Sequence, residues 1–293
     1  MIYFEKHPMT MIVIGVIGIS LSSIFVKYSN APSAVTAAFR LLWTVILMTP
    51  AVGFNSDVKE ELKNMTKRNL LLSCVSGLFL AVHFAVWFES LQHTSVASST
   101  TIVCTEVIWV ALGFCLFLHG KLTGKAIAAI LITFAGSALI ALADSGGGTH
   151  LYGDFLALLA AIAVAVYTLI GRIVRETVST TAYTYVVYIA CAAMLVGMCI
   201  AQDYNLFTYG WSAVIVGLLL AVFSTILGHS IFSWCLKYFS PAFVSASKLC
   251  EPVVAAIFAG LLFGEMPKLL QVIGCILILG GVYYYSRLEM HQD

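Results

Sequence analysis

Six ionisable residues stand inside long apolar stretches: Arg40, His83, Glu106, His229, Lys248 and Glu251. Each charge at the centre of a membrane helix costs about 2.5–3.5 kcal/mol on the insertion scale, so such residues need partners or a ligand. Two cations and two carboxylates suggest mutual neutralisation. Lys248 and Glu251 are three residues apart, so on a helix they share a face and can pair directly. Two readings stand side by side: a buried structural ion-pair network, or a polar cavity that holds a charged or zwitterionic ligand. In the second, Arg40 or Lys248 meets a carboxylate, and Glu106 or Glu251 meets an amine.

His83 and His229 can change charge near neutral pH, so either could pass a proton; the plainer reading is a hydrogen bond to a neighbouring helix. With Glu106 and Glu251 they form the proton-coupling candidates. Aromatic side chains crowd the same stretches: Phe39 and Trp43 around Arg40, Trp87 near His83, Trp109 three residues from Glu106, and Phe232 after His229. An aromatic one helical turn from a buried charge can wall a pocket and contact a cation. The candidate binding set is therefore Phe39, Arg40, Trp43, His83, Trp87, Glu106, Trp109, Phe232, Lys248 and Glu251. There is no Ser/His/Asp nucleophile grouping, HExxH, phosphate-binding loop or dinucleotide fingerprint, so no enzyme, cofactor or ATP-driven pump is expected. The eight cysteines all fall in apolar runs without CxxC spacing and read as core residues, not metal ligands.

The elements that must position these groups follow from composition. Hydrophobic residues make up 61% of the 293 and charged residues only 10%, with a mean hydropathy of +0.99. That is more apolar surface than a soluble core buries, which places the chain in a bilayer. Ten runs reach the roughly 20 residues a spanning helix needs: about 9–28, 34–54, 69–90, 96–118, 125–143, 151–172, 181–201, 211–236, 242–263 and 268–286. The first is read as a retained span, not a signal peptide. Asn55 to Arg68 carries Val58, Leu62 and Met65 at helical spacing among charges, which predicts a short helix on the membrane surface. Tyr152, Trp211 and the Tyr283-Tyr284-Tyr285 run lie near span ends and are expected in the interfacial belt.

Most Lys and Arg residues, including Lys59, Lys63, Lys67, Arg68, Lys121, Arg172, Arg175 and Arg287, fall on the side that ten spans assign to both termini. By the positive-inside rule that side is the cytoplasm. The net charge of +1 gives no field to recruit nucleic acid.

Glu106 and Glu251 are 145 residues apart, and the same offset relates Ser95 to Ser240, Ala97 to Ala242 and Gly136 to Gly281. The chain thus reads as two related halves, 1–143 and 151–293, joined by a glycine-rich linker at 144–150. With five spans in each, the second half enters the membrane inverted. The histidines correspond at an offset of 146, and inversion predicts one nearer the outer face and the other nearer the inner. The expected fold is all-α: a polytopic membrane protein of ten helices in two inverted five-helix repeats, an arrangement that points to a carrier.

Ala38-Phe39-Arg40-Leu41-Leu42, His83-Phe84-Ala85-Val86-Trp87 leading to Thr94-Ser95-Val96-Ala97, Gly153-Asp154 through Tyr167 to Arg172, and Glu251-Pro252 followed by Gly264-Glu265 together resemble the EamA branch of the drug/metabolite transporter superfamily. The resemblance spans nearly the whole chain. It implies alternating access and export of amino acids or other small metabolites, with a general likeness to bacterial aromatic amino acid exporters. One departure is that Gly120-Lys121 stands where the second half has Gly264-Glu265, and no proline follows Glu106, so the halves are unequal. The expected function is a multi-pass secondary transporter of the inner membrane, both termini cytoplasmic. Its partners are a small-molecule substrate, the lipid bilayer and a coupled proton. The alternatives are an importer of a cationic nutrient such as a quaternary amine, and a passive channel.

Overall fold

The computed structural model describes residues 8–26, 28–94, 96–144, 151–251, 253–254, 257 and 269–290. Among these there are helices and no strands. In chain order they are α1 (Pro8–Ser20), α2 (Ser22–Val26), α3 (Ser33–Gly53), α4 (Ser56–Asn64), α5 (Lys67–His93), α6 (Val96–Val103), α7 (Glu106–Phe117), α8 (Gly124–Asp144), α9 (Leu151–Val174), α10 (Thr180–Ala201), α11 (Gly210–Leu219), α12 (Ile231–Cys235), α13 (Pro241–Lys248) and α14 (Leu269–Glu289). A π-helical stretch, Leu220–Ser230, joins α11 to α12.

Eight helical runs among the described residues are long and apolar enough to cross a membrane, and a shorter apolar helix covers Gly124–Ile140. The eight fall on eight of the ten expected spans, and the shorter helix falls on the run expected at 125–143. Of the remaining one, 242–263, the structure describes α13 and a few residues beyond. The linker residues 145–150, the small-residue runs 255–256 and 260–264, and Lys27 lie outside the described residues.

Local chemistry sets the helix starts. Asn55 accepts from the backbone N–H groups of Asp57 and Val58 to open α4, Thr66 from Asn69 to open α5, Ser179 from Ala182 to open α10, and Ser240 from Phe243 to open α13 with Pro241 in its first turn. Each cap satisfies a donor that the first helical turn leaves without a partner. The expected surface helix is α4: Val58 is buried while Lys59 and Lys63 face outward. The Glu61 carboxylate accepts from the Ser179 backbone N–H (2.6 Å) and from the Ser179 hydroxyl, which ties α4 to the start of α10.

In the bundle, α5 packs on α9 and α10, α3 on α10 and α11, α1 on the π-helical stretch, α7 on α9 and α13, and α8 on α14. The α8–α14 contact is backbone to backbone. A Cβ on Gly136 would lie 2.7 Å from the Gly274 carbonyl, and one on Gly274 would lie 2.6 Å from that of Gly136. Glycine is therefore what permits this approach, as at small-residue contacts between membrane helices. Tyr152, Tyr283 and Trp211 are exposed as expected of interfacial aromatics, but Tyr285 is buried with its ring 5.4 Å from Phe243. It turns inward because its position faces the α13 contact.

Three departures from regular helices matter for the site. The fourth span is not continuous: Thr105 N–H bonds the Ile102 carbonyl at 3.0 Å and its hydroxyl bonds the same carbonyl at 2.6 Å, closing a turn before Glu106 opens α7. The ninth breaks likewise, with Leu249 N–H on Ala246 O and Cys250 N–H on Ser247 O, both 3.1 Å, just before Glu251. The third is the π winding itself, where Thr225 and Ser230 hydroxyls each bond the carbonyl five residues back, at 3.2 and 3.3 Å.

Against this winding Gly18 of α1 sits so close that a Cβ would lie 2.6 Å from the Phe223 carbonyl and 2.9 Å from that of Leu227. Gly18→Val is expected to force the two helices apart and destabilise the protein by about 1–3 kcal/mol, the usual range for overpacking. Thermal unfolding of the purified variant in detergent, compared with wild type, measures this.

Candidate functional site

The two helix breaks, the π stretch and the middle of α3, α5 and α9 converge on one internal chamber. Its lining includes Ser22, Arg40, His83, Trp87, Thr100, Glu106, Ser224, His229, Ser245, Lys248 and Glu251. The atom-free space is about 630 Å³ including its mouth. All six intramembrane ionisable residues singled out above thus meet in one place.

Lys248 Nζ donates to Glu106 Oε1 at 2.7 Å, with the two side chains 12% and 8% exposed. The expected Lys248–Glu251 pair is not made, because the chain turns at Leu249–Cys250 and the three-residue spacing no longer sets a common helical face. Glu106 is instead the first residue of α7, where the positive end of the helix dipole favours a carboxylate. Lys248 also stands 5.5 Å from the Phe232 ring centre.

Arg40, 1% exposed, is fixed from three sides. Its Nε donates to Thr225 Oγ1 at 2.7 Å, one terminal nitrogen donates to Ser22 Oγ at 3.3 Å, and the guanidinium carbon lies 4.1 Å over the Phe84 ring. Hydroxyl partners leave its positive charge uncompensated. Among the described residues no ion pair joins Arg40 to Glu251 or to any other carboxylate. The chamber therefore holds one closed pair, Lys248–Glu106, and two ionisable groups outside any ion pair, Arg40 and Glu251.

His83 Nδ1 lies 2.9 Å from the Ala160 carbonyl. A carbonyl only accepts, so Nδ1 carries the hydrogen and Nε2 of the neutral ring is left as an acceptor. The ring stacks on Trp87 with centroids 5.8 Å apart and 17° between planes. His229 meets the Phe84 ring edge to face at 5.3 Å and the His83 ring at 6.4 Å. The two imidazoles were expected toward opposite faces of the membrane, yet they are neighbours. Each sits well inside its helical run, Lys67–His93 and Gly210–Cys235, where both runs pass the same chamber.

The π winding has a direct consequence here. Ser224 and His229 both line the chamber, and they are five residues apart. In an α-helix five residues turn the chain by about 140° past a full circle, which would put them on different faces; bonds that span five residues align them.

The other candidate residues fall elsewhere. Phe39 lies against α11, where a Cβ on Gly217 would stand 2.5 Å from its own Cβ, and Trp43 donates to the Val214 carbonyl at 3.1 Å. Both belong to the α3–α11 contact. Trp109 is on α7 and does not line the chamber, and Phe232 touches it only through Lys248.

Residues missed from sequence are the hydroxyls: Ser22 and Thr225, which hold Arg40, and Thr100, Ser224 and Ser245 in the wall. Their signal was present as hydroxyl side chains within apolar runs, but such residues are common at any membrane helix contact.

An all-helical bundle with charged side chains gathered around an internal chamber, reached by interrupted helices, defines a membrane transporter. The EamA-like transporter family profile matches residues 8–142 and again 151–287. The chain belongs to that family. It is 24% identical over 280 residues to an uncharacterized transporter, YxxF, of Bacillus subtilis (strain 168), covering 94% of this chain and 87% of that one. It is 25% identical over 288 residues to a "Probable amino-acid metabolite efflux pump" of Escherichia coli (strain K12), covering 94% and 92%. A crystal structure with 16% identity superposes with a TM-score of 0.80 over 98% of this chain and 99% of that one, which shows the shared fold.

Proposed function

We propose that this protein is a secondary transporter that exports amino acids across the inner membrane by alternating access, with the substrate held in the chamber between two inverted halves. The observation that carries this reading is that a guanidinium and a carboxyl group, Arg40 and Glu251, face one space outside any ion pair, beside a closed Lys248–Glu106 bridge. A zwitterion supplies a carboxylate for the first and an ammonium for the second. A quaternary amine supplies only the cation and would leave Arg40 without a counter-charge in a site of low dielectric. The name of the Escherichia coli relative supports the same substrate class.

Inversion of two halves finds support in the two separate family matches and in the packing. Under a correspondence of span n with span n + 5, the α5–α9 contact maps onto that of the π-helical stretch with α1, the α10–α5 contact onto α3–α11, and the α8–α14, α3–α10 and α7–α13 contacts onto themselves. Both interrupted helices break just before a glutamate. His83 and His229, with Glu106 and Glu251, would carry a coupled proton, and the charge bias of the loops supports cytoplasmic termini.

The test is counterflow in proteoliposomes containing purified protein. Vesicles preloaded with a mixture of unlabelled neutral amino acids are expected to accumulate a labelled one transiently, and choline in the same format is not. Accumulation of choline with no response to amino acids would select the quaternary-amine importer. Ion currents far above carrier turnover would select the channel.

A further inference from the structure

Four buried side-chain nitrogen or oxygen atoms of the chamber wall have no hydrogen-bond partner among the described residues: Trp87 Nε1, Thr100 Oγ1, Ser224 Oγ and Ser245 Oγ. Native proteins rarely leave such groups unsatisfied, because each forfeits the hydrogen bond it would make with water. Four at one site, contributed by α5, α6, the π stretch and α13, are more than packing requires. A wall meant only to exclude water would be served by alanine and valine at these positions, as it already is by Ile19, Val103 and Val164.

We infer that these four groups select the side chain of the substrate, and that it is a neutral one bearing an oxygen, a hydroxyl or a carboxamide, and not a hydrocarbon one. This rests on the amino-acid reading above, which concerns the zwitterionic end alone. The indole N–H of Trp87 only donates, so its partner must be an acceptor; that removes ammonium side chains, which only donate. The serine and threonine hydroxyls both donate and accept, so a hydroxyl or a carboxamide satisfies them in either sense.

A site built to hydrogen-bond a substrate group rejects the isostere that lacks it, because its own polar atoms are then left buried and unpaired. Threonine and valine have nearly the same shape and differ by hydroxyl against methyl, which makes them the appropriate probes. In the counterflow vesicles, threonine, serine and asparagine are expected to compete with label about 10- to 100-fold better than valine, alanine and leucine. Ser224→Ala/Ser245→Ala is expected to bring the threonine-to-valine ratio to within about threefold, and Trp87→Phe, which removes the N–H and keeps an aromatic, to reduce it as well. The wild-type comparison needs no variant and stands even if one fails to fold. Equal competition by valine and threonine in wild type, or a ratio unchanged in both variants, overturns the side-chain inference while the amino-acid reading survives. Failure of every amino acid to compete overturns both.

Discussion

Lys248→Met alone is expected to cost about 3–5 kcal/mol of stability and to abolish transport, whereas Glu106→Gln/Lys248→Met recovers most of the stability and none of the transport. The single change strands the Glu106 carboxylate, 8% exposed, without its cation, and breaking a buried pair from one side costs that much. Removing both charges takes away the penalty along with the attraction, and replacing such a pair by neutral groups of similar volume is often close to neutral in stability. A carrier needs more than a folded chamber. The pair lies at two helix breaks, where α7 and α13 meet, and under the proposed alternating access an opening of the chamber there would part it. Thermal unfolding in detergent and counterflow on the same preparations separate the two quantities. Transport at wild-type rate by the double variant would reduce the bridge to a scaffold.

This site also shows where sequence reasoning reached its limit. The membrane class, the positions of most spans and the surface helix α4 were legible, because runs of some 20 apolar residues and the caps that bound them are local properties of the chain. The gathering of Arg40, His83, Glu106, His229, Lys248 and Glu251 was legible in outline, since a charge in hydrocarbon must find company. Which charge meets which was not. Lys248 and Glu251 satisfy the helical three-residue rule, but the rule presumes an unbroken helix, and Pro252, whose ring nitrogen cannot donate to the carbonyl four residues back, was the sign in the sequence that this one is interrupted. Thr105 offers no such breaker, and only the structure shows α6 ending at Val103. The π stretch was invisible for the same reason: Leu220 to Ser230 reads as an ordinary apolar run, and its winding depends on tertiary partners. Among the aromatics, nearness in sequence to a charge separated Trp87 from Phe39 and Trp43 no better than chance, because adjacent helical residues face different neighbours.

If Arg40 binds the substrate as proposed, Thr225 is the residue through which the π winding acts on that contact. Its hydroxyl accepts from Arg40 Nε at 2.7 Å and donates back along the helix to the Leu220 carbonyl at 3.2 Å, so one oxygen couples the guanidinium to the helix geometry. Arg40→Lys keeps the charge but cannot engage Thr225 and Ser22 together and still lie flat over Phe84, since an ammonium has neither the fork nor the plane. Transport by this variant is expected to fall about 100-fold. Thr225→Val is the finer probe. It keeps the side-chain shape and removes a hydrogen bond to a charged group, worth about 1.5–3 kcal/mol, which corresponds to a roughly 10- to 100-fold rise in KM. The arginine itself remains, so kcat should change much less, and Thr225→Ser, which restores the hydroxyl, should return KM close to wild type. A fall in kcat at constant KM, or failure of serine to rescue, would mean that Thr225 serves the helix and not the carboxylate-binding arginine. Rescue would establish that the orientation of Arg40, beyond its charge, is what the substrate reads.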